Sequence, residues 1–258
     1  MRRIITLTTD FGLKDHYVAA MKGVILSINP EALIVDVTHE IPPQDIFKAA
    51  FTVRNFYRYF PRGSINVVVV DPGVGSKRRA IVVKTDYALF IGPDNGVFTF
   101  VYKELSPISV FKISNPKYFL PEVSSTFHGR DIFAPVAAHL SLGVAVEDLG
   151  RRVKKTVELR IREPEVKEGE ISGEVVYEDH FGNLITNIPG TLIRRDAVVI
   201  VDGITIEKIS TSYAEVPKGG LLAIVGSTGF LEISVNQGRA SQVLRRGSLK
   251  VRVILPSS

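Results

Sequence analysis

The chain of 258 residues contains no cysteine and no tryptophan. Without cysteine it has no disulfide, no thiol nucleophile and no thiolate ligand for a metal, and a reducing compartment is permitted. It also has no apolar stretch long enough to cross a bilayer, and the apolar run after Arg3 ends at Asp10, before it reaches the length of a signal-peptide core. We therefore expect a cytoplasmic protein without a membrane partner.

The bulk composition is that of a folded globular protein, with 45% hydrophobic and 23% charged residues. The net charge is +5, but the basic residues cluster only at 77–79, 151–155 and 245–246. Nucleic-acid binding requires a continuous basic face or stripe. We therefore expect no nucleic-acid partner.

The stretch 67–79 joins four consecutive valines to an Asp-Pro-Gly turn and the cationic cluster Lys77-Arg78-Arg79. Consecutive β-branched residues predict a strand buried on both faces, and the Pro-Gly pair ends it, so Asp71 lies at the strand's end. Ligands of open α/β sheets bind at the carboxyl ends of strands, which makes Asp71 a candidate site residue. A plain turn followed by a solvated basic loop explains the same pattern equally well.

Strands and helices alternate in the first half of the chain. Apolar runs predict strands at 3–9 and 32–37, and helical spacing predicts helices over 17–28 and 45–60, before the valine strand. Further predicted strands cover residues 80–85, 88–92 and 107–112. This β-α-β-α-β order predicts an α/β domain over residues 1–150, with a mainly parallel sheet.

The composition changes after residue 150. Residues 151–168 carry mixed charges and include Pro164, as a linker does. From 169 to 258 the helical period vanishes, and short alternating segments are separated by Gly, Asn and Asp turns. This spacing predicts a small antiparallel β domain, either a barrel or a sandwich.

Three carboxylates, Asp10, Asp71 and Asp131, fall at or near element ends of the first domain, with His16 and His128 also available. One hypothesis is a divalent-metal site for phosphoester hydrolysis, although no local spacing such as His-x-Asp fixes two ligands. A second hypothesis is a metal-free relay in which Asp, Arg and His side chains position one water. The simplest interpretation is that His128 starts a helix and the basic loop is solvated.

Five motifs occur along nearly the whole chain: Thr-Asp-Phe-Gly at 9–12, Asp-Pro-Gly-Val-Gly-Ser at 71–76 with Arg78-Arg79, Phe-His-Gly-Arg-Asp at 127–131, Asp-His-Phe-Gly-Asn with Thr-Asn at 179–187, and Gly-Ser-Thr-Gly at 226–229 with Asn236. In this order they resemble the S-adenosyl-L-methionine hydroxide adenosyltransferases, relatives of the fluorinases and chlorinases.

The resemblance implies hydrolysis of S-adenosyl-L-methionine (SAM) to adenosine and L-methionine, by SN2 attack of water or hydroxide on the ribose C5′. It implies that Asp71 and His128 hold and polarise the water and that Arg78 fixes Asp71, without a metal. SAM is the substrate, so no cofactor is expected. Halogenating relatives carry Tyr in place of Asp71 and no matching His, which favours water over halide. Lys77 and Arg79 are interpreted as ordinary loop charges.

The resemblance also assigns substrate-binding residues in both domains. Asp10 is expected to accept hydrogen bonds from the ribose hydroxyls, and Asp179 to pair with the methionine ammonium. Ser227 is expected to bind the methionine carboxylate, and Asn183 the adenine edge together with the backbone near Gln237.

Two positions depart from the fluorinase pattern. This chain has about Gln44 where the fluorinase has a Trp near the ribose, and Thr228 where it has an Arg beside the carboxylate-binding Ser. The family architecture implies a C-terminal β-barrel and a homotrimer with sites between subunits. A metal-dependent phosphoesterase and a non-catalytic nucleoside- or SAM-binding module are the alternative functions.

Overall fold

A computed structural model of the protein describes residues 3–244 and 249–256. The basic cluster at 245–246 lies outside the described residues. The chain divides into two compact units, Met1–Leu159 and Arg160–Ser258. No helix within the described ranges combines the length and apolar character needed to span a membrane.

The first unit contains a sheet of seven strands among the described residues. They are β1 Ile4–Thr9, β2 Leu33–Thr38, β3 Ile65–Val69, β4 Ala80–Thr85, β5 Leu89–Pro93, β6 Ile108–Lys112 and β7 Arg152–Val153. Their spatial order is β2-β1-β3-β5-β4-β6-β7, in which β2, β1, β3 and β5 are mutually parallel, whereas β4, β6 and β7 pair antiparallel with their neighbours. The sheet is thus mixed. The prediction of a mainly parallel sheet holds only for β2, β1, β3 and β5. Residues 86–88 alone join β4 to β5, too few for a crossover, so these two strands form a hairpin.

Helices cover both faces of this sheet: α1 Tyr17–Ile28, α2 Ile46–Phe56, α3 Thr99–Glu104 and α4 Ala134–Ser141. Val67 and Val69 of β3 belong to the hydrophobic core that includes α1 and α4. Val68 and the following Val70 belong to a second core, which includes α2 and α3. The prediction that the valine strand is buried on both faces is confirmed. Alternating side chains of one strand fill two cores, which fixes the strand rigidly just before Asp71.

The second unit is a curved sheet. In the part of the chain that the structure describes it consists of β8 Glu165–Lys167, β9 Glu170–Glu178, β10 Leu184–Pro189, β11 Val198–Val201, β12 Ile204–Ile206, β13 Ile209–Ser210, β14 Leu221–Val225, β15 Phe230–Val235 and β16 Lys250–Ile254. The order is β12-β11-β16-β9-β10-β15-β14-β13 with β8 beside β9, and a short helix, α5 Ala240–Val243, follows β15. Strands β12 and β14 are in contact, so the sheet nearly closes on itself. Its hydrophobic core lies on one face and includes Leu231, Ile233 and Val235 of β15. The polar Glu232 and Ser234, which alternate with them along the strand, are not part of that core.

The stretch 151–168, predicted as a linker, contains β7 in the first unit and β8 in the second. Between these strands the backbone is attached to the first unit. The Val157 N–H donates to Asp94 Oδ1 at 2.9 Å, and the Leu159 N–H donates to Thr99 Oγ1 at 2.8 Å. Glu158, between them, pairs with Gly96 in an isolated parallel bridge, so this extended segment obtains hydrogen bonds from both backbone and side chains.

Arg79 anchors the same segment. Its Nε donates to Asp94 Oδ2 at 2.7 Å and its Nη2 donates to the carbonyl oxygen of Lys155 at 2.7 Å. The Asp94 side chain is only 1% exposed. The interpretation of Arg79 as an ordinary loop charge is therefore wrong, because a buried carboxylate needs a fixed cation.

Gly75 sits at the tightest point of the loop after β3. Its φ is +76°, and a Cβ there would lie 2.2 Å from the carbonyl oxygen of Ser125. We expect Gly75→Ala to lower the free energy of unfolding by about 2–3 kcal/mol, through left-handed strain and this clash. Urea denaturation measures the change.

Gly23 in α1 provides the control, since a Cβ there would meet nothing within 4 Å. Gly23→Ala is expected to raise stability by about 0.5–1 kcal/mol, because it restricts the unfolded chain in a helix interior. Equal effects of the two substitutions would contradict the described loop.

Candidate active site

A pocket of about 320 Å³ opens at the carboxyl edge of the first sheet. Strands β1 and β3 are neighbours in parallel register, with Thr9 opposite Val69. Asp10 and Asp71 follow these two strands and both line the pocket, as do Phe11, Phe127 and His128. The parallel half of the sheet thus places side chains that are distant in sequence around one cavity.

Arg78 joins Asp71 to His128. Its Nε lies 3.0 and 2.9 Å from the two carboxylate oxygens of Asp71, its Nη2 also donates to Oδ2, and the same Nη2 lies 2.7 Å from His128 Nδ1. The side chains of Asp71 and Arg78 are 5% and 10% exposed. The loop turns back on itself to achieve this, since the Arg78 N–H donates to Ser76 Oγ at 3.2 Å. The Arg78 guanidinium also lies over the Phe133 ring, 5.4 Å from its centroid.

The contact with Arg78 determines the protonation state of His128. A guanidinium only donates hydrogen bonds, so His128 Nδ1 must accept, and the imidazole proton of the neutral form is on Nε2. Burial first, and then the charge of Arg78, lower the pKa of His128. His128 is therefore neutral near pH 7, with Nε2 as a hydrogen-bond donor.

Asp10 is held by the loop that follows β2. Its Oδ2 accepts from the backbone N–H of Gln44 at 2.8 Å, and Gln44 has a left-handed φ of 67°. Burial raises the pKa of Asp10, the Gln44 N–H partly offsets this, and the charge of Asp71 raises it further. Besides the Gln44 N–H, the described contacts give the Asp10 carboxylate one further donor, its own backbone N–H, and the side chain lines the pocket.

The residues that the metal hypothesis grouped together are not all in this pocket. Asp131 is fully buried, and its side chain accepts from the Ser124 N–H at 2.8 Å and from Arg130 Nε at 2.6 Å. It stabilises a single π-helical turn, Gly129–Phe133, which begins directly after His128. His16 is at the start of α1 and packs on Tyr17, with ring centroids 4.7 Å apart. Within residues 3–244 and 249–256, no three side chains of His, Asp or Glu form a group able to hold a metal ion.

In the second unit, Asp179 and Asn183 form one closed turn between β9 and β10. Asp179 Oδ1 accepts from the backbone N–H groups of Phe181 and Asn183, both at 2.9 Å. Asn183 Nδ2 donates to Asp179 Oδ2 at 2.9 Å. Both carboxylate oxygens of Asp179 are therefore engaged within its own turn.

Ser227 and Gln237 are exposed and lie at opposite ends of β15. Ser227 is in the turn before this strand, and Gln237, with φ 53°, follows it. A strand rises about 3.3 Å per residue, so β15 alone spans roughly 20 Å between the two turns. The segment that follows Gln237 contacts the Asp179 turn, since Arg239 Nη1 donates to the His180 carbonyl oxygen at 2.8 Å.

Sequence reasoning missed the aromatic wall of the pocket. The rings of Phe11 and Phe127 meet edge to face with centroids 5.7 Å apart, and Tyr17 packs edge on against Phe127 at 5.2 Å. Each of these phenylalanines is next in the sequence to a predicted site residue, Phe11 to Asp10 and Phe127 to His128. Two phenylalanines next to candidate polar groups at one sheet edge were the available signal.

Family comparison gives matches in both units. Residues 5–150 match the SAM hydroxide adenosyltransferase N-terminal domain, and residues 173–249 match the C-terminal domain of the same family.

Individual proteins are similar over nearly the full length. The (R)-S-adenosyl-L-methionine hydrolase of Thermus thermophilus is 40% identical over 250 residues, covering 94% of this chain and 95% of that protein. A fluorinase of Nocardia brasiliensis is 28% identical, covering 91% of each chain. The crystal structure of an uncharacterized conserved protein from Thermotoga maritima superposes with a TM-score of 0.91 at 41% identity, covering 97% of this chain and 99% of that one.

Proposed function

The chain belongs to the SAM hydroxide adenosyltransferase family, and we propose that it hydrolyses SAM to adenosine and L-methionine. The observation that carries the proposal is the bridge from Asp71 through Arg78 to the neutral His128, beside Asp10 in one pocket. Four relatives named (R)-S-adenosyl-L-methionine hydrolase, 37–40% identical to the chain, support it.

The reaction is a displacement at carbon. The water oxygen forms a bond to the ribose C5′, and the C5′–S bond breaks with its electron pair passing to sulfur. The positively charged sulfonium thereby becomes the neutral thioether of methionine. The protonated 5′-hydroxyl loses one proton to give adenosine. A sulfonium leaves without acid catalysis, so the protein has to orient the water in line and exclude bulk solvent.

Asp71 is the proton acceptor in this scheme. His128 Nε2 carries a hydrogen and donates it to a lone pair of the water, so the imidazole orients the nucleophile and does not deprotonate it. Of Asp71, Arg78 and His128, only the Asp71 carboxylate can then accept a hydrogen bond from a water O–H. A carboxylate suffices as base, because the alkylated water is a strong acid once the C5′–O bond forms. Arg78 keeps the Asp71 carboxylate in a fixed orientation.

The charge of the pocket favours neutral water over an anion. Arg78 and Asp71 cancel, which leaves the charge of Asp10 facing the cavity. A net negative pocket attracts the sulfonium cation and repels halide or hydroxide. This distinguishes the set from that of a halogenating enzyme, which has to admit an anion.

The substrate contacts follow the family assignments. The Asp10 side chain lines the pocket, and we assign it to the ribose hydroxyls and Asp179, Asn183, Ser227 and Gln237 to methionine and adenine, as the resemblance implies. The domain limits 1–150 and 169–258, a closed β-barrel for the second domain and a homotrimer complete the proposal. Light scattering of the purified protein tests the trimer.

Incubation of the purified protein with SAM, with and without a chelator, tests the function. Liquid chromatography should find adenosine and methionine in equal amounts, at a rate that the chelator does not change. A metal-dependent phosphoesterase would leave SAM intact and lose its activity with the chelator. A binding module would give a calorimetric signal for SAM with no adenosine released.

The pH dependence of kcat provides a separate prediction. His128 must be neutral to accept from Arg78, and its pKa is lowered from the ordinary value of 6.5. As the pH falls, kcat should therefore stay constant through 6.5 and decline only below it. From about pH 7 to 9 it should be flat, because the nucleophile is water. A tenfold rise per pH unit in this range would identify hydroxide as the nucleophile and contradict the scheme.

A further inference from the structure

The buried side chain of His39, directly after β2, joins the neighbouring strands β1 and β2 at the carboxyl edge of the first sheet. Its Nδ1 lies 2.9 Å from Thr9 Oγ1 at the end of β1, and its Nε2 lies 3.1 Å from Asp36 Oδ1 on β2. His39 is 3% exposed and does not line the pocket. The proposed reaction uses neither His39 nor Thr9.

Asp36 fixes the proton positions along this chain of contacts. Lys22 Nζ donates to Asp36 Oδ2 at 2.5 Å. Burial acts to raise the pKa of Asp36, but the contacts with Lys22 and His39 outweigh it, and the pKa is lowered. His39 Nε2 lies within ion-pair distance of Asp36 without the angle of a hydrogen bond. The charge of the ionised carboxylate still favours the N–H on Nε2, which leaves Nδ1 to accept from the Thr9 hydroxyl.

The network ends on the backbone around Asp10. Thr9 Oγ1 accepts from the Phe11 N–H at 3.2 Å, and the Gly12 N–H donates to the His39 carbonyl oxygen at 2.7 Å. Asp10 is thereby held on both sides in the sequence. Its carboxylate accepts from the Gln44 N–H at 2.8 Å, in the loop that His39 begins.

The order Asp-His-Thr is that of a nucleophilic triad, but Thr9 has the wrong position for attack. Thr9 is fully buried and is not part of the pocket wall. Its oxygen already accepts one hydrogen bond from the backbone and contacts the imidazole. The network therefore acts on the placement of Asp10.

We propose that His39 is a positioning residue for recognition of the ribose diol. Through Thr9 it fixes the orientation of Asp10, so that both ribose hydroxyls of a nucleoside can donate to one carboxylate. A carboxylate misplaced by a fraction of an ångström loses one of these two charged hydrogen bonds. The inference extends the proposed function, because Asp10 has the ribose-binding role there.

Calorimetry with adenosine and with 2′,3′-dideoxyadenosine tests the proposal without requiring turnover. Thr9→Val keeps the side-chain shape and removes the hydroxyl, and His39→Ala removes the imidazole. Each variant should bind adenosine about tenfold more weakly, which is the value of one hydrogen bond to a charged group. Binding of 2′,3′-dideoxyadenosine should stay at the wild-type level. With SAM, KM should rise while kcat changes by less than about twofold, as expected for a ground-state contact.

His139→Asn is the matched control, since His139 packs on Tyr118 in the same unit and should leave both affinities unchanged. Thermal melts establish whether each variant folds. If His39→Ala does not fold, the result with Thr9→Val alone decides between the outcomes. Equal weakening toward both nucleosides, or no change toward either, would overturn the positioning role. If the wild-type protein bound adenosine through its diol but released none from SAM, the proposed hydrolysis would fail while the role of His39 stood.

Discussion

Replacing Asp71 by asparagine should lower kcat for SAM by about 10²–10⁴-fold, the usual loss when a general base is removed. Asparagine keeps the shape of the side chain but has no charge and only one accepting oxygen. The Arg78 Nε contact to both carboxylate oxygens cannot be reproduced, and the proton of the attacking water has no acceptor. KM should change little, because the defect lies in the step at C5′.

Single-turnover measurement of adenosine release gives this loss directly. Asp86→Asn is the control, because Asp86 is exposed in the turn between β4 and β5, away from the pocket. Asp71 is nearly buried, so the variant's melting curve must show that it is folded before the rates are compared. More than a tenth of the wild-type rate in folded Asp71→Asn would remove Asp71 from the role of base.

Replacing His128 by alanine should reduce kcat by about 10²-fold, the usual loss when a reacting group is no longer held in its attack position. The substitution deletes the Nε2–H that orients the water and leaves Arg78 Nη2 without its acceptor on that side. The acid limb of the pH profile should disappear with it, since His128 is the group that titrates there.

The same pH series on His128→Ala and on His139→Asn separates this role from a general effect on folding. His139→Asn should retain both the rate and the acid limb. Survival of the limb in His128→Ala would show that another group is responsible for it.

Sequence predicted the parts of the fold in which local and tertiary preferences agree. Helix α1 occupies residues 17–28, as its apolar spacing indicates. The valine strand is buried on both faces because β-branched residues suit the position that the fold gives them. The antiparallel half of the first sheet was missed, because strands β4 and β5 are as apolar as parallel ones and only the short turn 86–88 distinguishes them.

The candidate site likewise contains residues that the sequence predicts and residues that it does not. Asp71 and Asp10 were selected because each follows an apolar strand. Their partners depend on how loops fold back, and no local pattern shows that Arg78 turns inward while the neighbouring Arg79 pairs with Asp94. Asp131 was grouped with the other carboxylates by its place after a loop, but it is the internal acceptor of its own turn. His39 lacked any signal beyond a histidine at a strand end, because its function depends on contacts with Thr9 and Asp36.

Hydrolysis in water enriched in oxygen-18 tests the account most directly. Attack of water on C5′ predicts that each adenosine carries one oxygen-18 atom in its 5′-hydroxyl, that methionine is unlabelled, and that the label appears at the reduced rate in Asp71→Asn. Release of methionine without labelled adenosine would contradict attack at C5′, and undiminished labelling in folded Asp71→Asn would contradict the role of Asp71.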